Sequence, residues 1–312
     1  MDRKIVFLCA GQGTQYFNMT LKLYKNNKTY QKHLDSLSQK VYERTGYKIL
    51  QYLFDSNKPS VAECDNLVLS SLAIFICQFG VAKMLIDIGF YPACVIGQSM
   101  GEFVALAISN EQNVDTVIDI IASFTGRITK ECQTGGMMAV LHNSNLFFER
   151  KDIFQQCEIA GISYNEHFVV SGTSKALDVL TCFFREHNIM FQRLPVHYAF
   201  HSRYIEEERE KVLEKKIDCK LNLPIGSCAY GKLIYELPQS YIWDVVRRPM
   251  LFRETVWEVE DLINPVYIDL SPGGILENYI KYGNISENKV DSIISRYHKE
   301  NEKIEKLVRE YL

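Results

Sequence analysis

The stretch Gly97-Gln98-Ser99-Met100-Gly101 constrains this chain more than any other. An apolar run at 93–96 enters it and a helix-forming run at 102–108 leaves it. Small residues two before and two after a serine permit a sharp turn from strand into helix. Such a turn holds the serine at strained backbone angles with its oxygen pointing outward. A helix that begins at the serine also aims backbone N–H groups at negative charge developing on a bound acyl group. Gly-x-Ser-x-Gly is short and matches by chance, but a strand before it and a helix after it raise it above a bare match. The competing reading is an ordinary glycine-rich loop.

At 312 residues the chain can bury a large core, as one domain or as a domain with an insertion. An apolar share of 47% with 23% charged residues is that of a soluble globular protein. A net charge of -3 lacks the basic excess that nucleic-acid binding calls for. The nine cysteines, an odd number without a C-x-x-C pair, read as reduced thiols. The first apolar run, 5–9, is too short for a signal peptide. The most hydrophobic window, 67–90, is interrupted by Gln78, Lys83 and Asp87, so a buried helix is expected there and not a membrane span. A cytoplasmic chain is expected.

In order, the run 5–9 predicts a buried parallel strand that ends at Gly11-Gln12-Gly13-Thr14-Gln15. Glycines there let the backbone approach a ligand or a second loop, although a plain tight turn satisfies the same pattern. Residues 17–60 read as polar and helical, with solvated loop at 25–28, and 68–87 as a long helix. After the serine turn, Val117, Ile120, Ile121 and Phe124 mark an amphipathic helix over 114–130. From Gly135 the pattern is strand (137–141), helix (146–156), a hairpin (158–163 with 168–172), helix (175–188) and strand (190–194). That β-α-β-β-α-β order is the ferredoxin-like arrangement, here an insertion at 134–195 in a large unit formed by 1–133 and 196–312. The fold class expected is α/β: a core with a parallel sheet and an inserted ferredoxin-like subdomain. His197 and His201 follow at the junction, where clefts form. A helix over 205–216, strands at 225–228 and 266–270, a helix around Trp243 and a final amphipathic helix at 300–312 complete the reading. The histidines lack metal-ligand spacing and there is no phosphate-binding loop, so no metal or nucleotide is expected.

Together these pieces resemble the malonyl-CoA:acyl carrier protein transacylase family, the acyltransferases of fatty acid and polyketide synthesis. The resemblance runs over nearly the whole chain and rests on GQGTQ (11–15), GQSMGE (97–102), YAFHS (198–202), VRRPMLFRETV (246–256) and DLSPGG (269–274). It implies a hydrolase-like α/β core with a parallel sheet and the inserted ferredoxin-like subdomain. It implies that Ser99 is the nucleophile that takes an acyl group from a thioester, and His201 the base that activates it. It implies an oxyanion hole from the backbone N–H groups of Gln12 and Met100. A main-chain carbonyl near Val245 would orient the histidine, so no acidic third member is needed. His197 lies outside the matching motif.

Two departures from the family pattern bear on substrate. Malonyl-using members carry an arginine in the helix after the serine turn, in R-G-[KR], and its guanidinium grips the malonyl carboxylate. This chain reads Thr125-Gly126-Arg127, and Arg127, two residues on, turns away from that place. Loss of such a buried bidentate partner costs about 2–5 kcal/mol, roughly two to four decades in affinity. Gln98 also stands where the family usually has histidine. Gln98, Thr125 and Phe200 are therefore the expected acyl-pocket residues, for an uncharged acyl group. The segment 163–172 and the run 194–202 look most like the acyl hydrolase branch that accompanies trans-acyltransferase polyketide synthases. The reading that follows is an acyl hydrolase clearing acyl groups from acyl carrier protein, in a proofreading role, through an acyl-Ser99 intermediate. A trans-acting acyltransferase loading an acyl unit from CoA is the alternative, and an inactive docking protein of a synthase the third. No bound cofactor is implied, because phosphopantetheine arrives with the substrate. Arg193, Arg203, Arg247 and Arg248, with Lys130, are candidate contacts for acidic carrier proteins; a monomer is expected.

Overall fold

The first strand, β1 (Lys4–Cys9), is buried from Val6 onward, as an apolar run without polar alternation requires. The computed structural model describes residues 3–59, 62, 64–214 and 216–312. Beyond β1 the chain forms helices Leu21–Asn26, Lys28–Thr45, Ile49–Leu53 and Leu67–Asp87 before β2 (Pro92–Gly97). The expected solvated loop at 25–28 shrinks to Asn27, whose carboxamide caps the next helix by accepting from Tyr30 N at 3.0 Å. A buried stripe of Tyr30, Leu34, Leu37 and Val41 outweighs the local lysine-asparagine composition there. Helix Leu67–Asp87 is long and apolar enough to cross a membrane by composition, and most of it is buried inside the fold. It packs against Lys28–Thr45, Val114–Glu131 and the helix Gly101–Ser109.

The chain next builds a second sheet from β3 (Gly135–Leu141), β4 (Cys157–Tyr164), β5 (His167–Thr173) and β6 (Met190–Arg193). Their order, β6-β3-β5-β4 with antiparallel neighbours, is that of a ferredoxin-like unit. Helices Asn145–Glu149 and Ser174–Glu186 accompany it; the first is a single turn, not the longer helix expected over 146–156. Met138, Val140, Phe154, Phe168, Leu180 and Phe184 give this unit its own core.

Beyond the 3-10 helix Arg203–Glu208 and helix Arg209–Leu213, which replace the one helix expected at 205–216, come β7 (Lys220–Ser227) and β8 (Lys232–Glu236). Helix Tyr241–Arg247 leads to β9 (Met250–Leu251), which pairs in parallel with β4 and so adds to the small sheet a strand from outside 134–195. Helix Phe252–Leu262, β10 (Pro265–Asp269), helix Ile275–Gly283, β11 (Val290–Ser292) and helix Glu300–Tyr311 follow. The large sheet runs β11-β10-β1-β2-β7-β8, parallel except for the β7–β8 hairpin, which sequence patterning did not indicate. The α/β class is as expected. The C-terminal ends of β1 and β2 meet the small sheet, and the cleft lies there.

Candidate active site

Ser99 sits between β2 and the helix Gly101–Ser109 with φ 54, the left-handed region that an L-residue enters at a cost. The flanking glycines explain why it stays there. A Cβ at Gly97 would lie 2.4 Å from Glu102 Cα, and one at Gly101 would lie 2.1 Å from the Cys9 carbonyl oxygen. No side chain fits at either place.

Two buried polar side chains hold this turn from behind, and neither was indicated by the sequence pattern. Gln78, on the long helix, accepts from Ala10 N at 2.9 Å and donates to the Ala10 carbonyl at 2.8 Å, fixing the loop after β1. Glu102 accepts from Ser227 Oγ at 2.5 Å and Ala229 N at 2.8 Å, tying the turn to the end of β7. Burial pushes the Glu102 carboxyl up to about 8 against the pull of those hydrogen bonds.

His201 approaches from the other side of the cleft. Its Nε2 lies 2.8 Å from Ser99 Oγ, and its Nδ1 lies 2.7 Å from the Arg248 carbonyl oxygen. A carbonyl only accepts, so Nδ1 carries the proton and Nε2 presents its lone pair to the serine hydroxyl. The ring is buried, and desolvation pushes its pKa down to about 4; the Arg248 hydrogen bond opposes this and the Arg247 charge adds to it. At neutral pH it is an uncharged base.

The orienting carbonyl belongs to Arg248 and not to Val245, which corrects the expectation from the sequence. Val245 lies inside the helix Tyr241–Arg247, where carbonyls point along the axis. Arg248 caps that helix and precedes Pro249, and a residue before proline is held extended. Its φ of -74 and ψ of 153 turn the carbonyl out of the helix toward His201. The backbone N–H of His201 is anchored on the Val246 carbonyl at 3.0 Å.

Gln12 and Met100 line the same cavity, and among the described residues the backbone N–H of neither donates to a protein acceptor. The two loops touch: a Cβ at Gly11 would lie 2.9 Å from Met100 N. The Gln12 side chain donates to Ser71 Oγ at 2.5 Å and Ser70 Oγ at 3.3 Å.

The cavity encloses about 970 Å³, its open mouth included. Phe103, Ile121, Phe124, Met137, Phe200 and Met250 form its apolar walls, with the Phe124 and Phe200 rings 6.2 Å apart. Thr125 is part of the wall, and its hydroxyl donates to the Ile121 carbonyl at 2.6 Å, inside its own helix. Gln98 also lines the cavity, and its carboxamide has no protein partner among the described residues. No Lys, Arg, Asp or Glu of the described residues lines it. Arg127 is held elsewhere, on the buried Glu208 at 2.5 Å.

The basic candidates and His197 lie outside the cavity wall. Arg193 pairs with Asp178, and Arg203 and Arg247 share Glu158 on the small sheet, while Arg248 pairs with Asp244; Lys130 is exposed. Among the described residues no cluster of three or more His, Cys, Asp or Glu could hold a metal ion, and none of the nine cysteines is in a disulfide.

Residues 6–311 match the family described as acyl transferase domain, and the chain belongs to that family. The polyketide biosynthesis acyltransferase homolog PksD of Bacillus subtilis is 32% identical over 305 residues, 96% of this chain and 94% of that protein. The polyketide biosynthesis acyltransferase homolog BaeD of Bacillus velezensis is 29% identical over 307 residues, again 96% of this chain and 94% of the relative. Among solved structures, the acyl transferase domain of SpnD in complex with 2-(pent-4-yn-1-yl)malonyl superposes with a TM-score of 0.88 at 19% identity, over 99% of this chain and 76% of that one. The malonyl CoA-acyl carrier protein transacylase from Clostridium perfringens does so with a TM-score of 0.82 at 22% identity, covering 98% of each chain. At such identities the structural likeness speaks for the fold.

Proposed function

We propose that this chain is an acyl hydrolase of polyketide biosynthesis, acting on uncharged acyl thioesters carried by acyl carrier protein. The observation that carries the substrate class is the cavity wall beside Ser99, which is largely apolar and among the described residues has no Lys or Arg; Thr125 there is bonded back to its own helix. A malonyl carboxylate would enter that space without a cationic partner, and a buried carboxylate with no charge to pair with is strongly disfavoured. The names of the PksD and BaeD relatives support the pathway.

In the first half-reaction Ser99 Oγ attacks the thioester carbonyl while His201 Nε2 takes the hydroxyl proton. The Gln12 and Met100 N–H groups receive the oxyanion. The C–S bond breaks, His201 returns its proton to the departing phosphopantetheine sulfur, and an acyl-Ser99 ester remains. Water then attacks that ester with His201 again as base. The carboxylic acid leaves and the proton returns to Ser99. Such a chain works in the cytoplasm as a monomer, with no cofactor of its own.

The test incubates the protein with acetyl- and longer acyl-carrier proteins and follows acyl loss by mass spectrometry. Free acid and bare carrier in water are expected. An acyl-Ser99 adduct that persists until a carrier thiol is added would replace hydrolysis with the transferase reading, since the serine-histidine pair serves both. A chain that binds carrier yet neither releases acid nor forms an adduct would leave the docking protein.

A further inference from the structure

The carbonyl that orients His201 belongs to a residue whose own side chain is held in place. Arg248 is half exposed, yet its Nε lies 3.1 Å from Asp244 Oδ1, one helical turn back, and its guanidinium carbon lies 4.9 Å from the centre of the Tyr230 ring. The other carboxylate oxygen of Asp244 accepts from Tyr230 Oη and from Ser240 Oγ, each at 2.7 Å. Asp244 is buried, and Arg248 N is bonded to its carbonyl at 2.9 Å. Three pieces of chain therefore converge on the Asp244 carboxylate: the turn between β7 and β8 through Tyr230, the start of the helix Tyr241–Arg247 through Ser240, and its end through Arg248.

We infer that the Arg248 side chain, clamped between Asp244 and Tyr230, is a positioning residue that sets the direction of its own carbonyl and through it the His201 ring. The remaining freedom at this carbonyl lies in Arg248 itself, because the ring of Pro249 fixes the next φ. Holding the side chain restricts how far the peptide plane between Arg248 and Pro249 swings. A swing lengthens the hydrogen bond that Nδ1–H donates to this carbonyl, releases the tautomer, and turns Nε2 off the line to Ser99 Oγ. This assignment differs from the carrier-protein contact expected for Arg248. It rests on Ser99 and His201 being the reacting pair.

The experiment measures two things on wild type, Arg248→Ala, Arg248→Lys and Tyr230→Phe, each first shown to keep its far-ultraviolet circular dichroism and melting temperature. One is the rate at which a fluorophosphonate probe labels Ser99, which needs no carrier protein; the other is kcat and KM for acyl carrier protein. Arg248→Ala is expected to slow labelling and kcat together by about tenfold, the scale for misplacing a catalytic group by a fraction of an ångström, with KM unmoved. Arg248→Lys, which can still reach Asp244 and the Tyr230 face, should recover part of the rate, and Tyr230→Phe should show a smaller loss of the same kind. An Arg248→Ala chain that labels as fast as wild type overturns the clamp, and a raised KM with unchanged kcat assigns Arg248 to the carrier. A wild-type protein that neither labels nor turns over removes the Ser99 reading itself, and the clamp with it.

Discussion

On the side of the cleft where Ser99 and His201 meet, the proposed chemistry leans on main-chain atoms: the N–H groups of Gln12 and Met100, on residues that line the cavity, and the Arg248 carbonyl that holds the His201 ring. Buried polar side chains hold them from behind, Gln78 on Ala10 and Glu102 on Ser227 and Ala229. The acyl wall opposite is made of side chains, Phe103, Ile121, Phe124, Phe200 and Met250, with one hydroxyl turned back on its own helix. Backbone geometry responds to the loss of a tether, whereas a wall of side chains can be given a new preference by one substitution. On the function proposed above, the first side fixes the chemistry and the second selects the acyl group.

The largest effect belongs to the reacting edge itself. Ser99→Ala should remove acyl-enzyme formation and lower turnover by on the order of 10⁴-fold or more, while binding of carrier protein persists. Intact-protein mass spectrometry after mixing with acyl carrier protein reads the adduct. An adduct on the Ser99→Ala chain would move the nucleophile elsewhere and dissolve the contrast between the two sides.

Next come the tethers. Gln78→Leu removes both hydrogen bonds to Ala10 and leaves its buried N–H and carbonyl without partners. The cost is about 2–4 kcal/mol, from roughly 1–2 for each group. Thermal melting should fall by several degrees, and Ser99 labelling should slow even in the folded fraction, because Gly11 and Gln12 follow directly. A full loss of stability with an unchanged labelling rate would show that Gln78 serves the core alone.

Why the tethers escaped the sequence reading is physical. Gln78 lies in the middle of an apolar helix, where it reads as a polar interruption; its partner is 68 residues away. Glu102 opens a helix, a place where acidic residues are common for local reasons, and its partners are more than 120 residues away. The orienting carbonyl was misassigned because it depends on where one helix stops, which Pro249 decides through Arg248. By contrast β1, β2, the long helix and the strand order of the small sheet were legible, since each rests on a continuous apolar run or a local alternation. β8 and β9 were not, for only Ile234 of β8 is buried, which leaves no apolar alternation to read, and β9 is two residues long.

The acyl wall should yield to a single change. Thr125→Arg places a guanidinium in the wall beside Ser99, and malonyl-Ser99 formation should rise relative to acetyl by about tenfold, roughly one charge-assisted hydrogen bond. Competition between malonyl- and acetyl-carrier protein, read by mass spectrometry, measures the ratio. No change in the ratio would place the specificity outside this wall.

The smallest effect is expected from pH, and its sign follows from burial. An exposed histidine would be half protonated near 6.5, and a base of that kind would lose half its rate there. His201, pushed down to about 4, keeps its Nε2 lone pair throughout the neutral and mildly acidic range. The labelling rate of Ser99 should thus change by less than about twofold between pH 8 and 5.5. Stability behaves differently over part of that range. His201 and His167, both depressed to about 4, bind fewer protons folded than unfolded, so their contribution is complete above about 6.5 and is lost as pH falls toward 4. Glu102, raised to about 8, works in the opposite sense: its neutral form favours the folded chain below about 4.5, and that preference is lost as pH rises to 8. Glu102→Gln keeps a neutral side chain of the same shape, so its melting temperature should lose the alkaline decline and retain the acid one. A wild-type labelling rate that halves near pH 6.5 would mean that His201 is hydrated in solution, and the reacting edge would then be as open as the acyl wall.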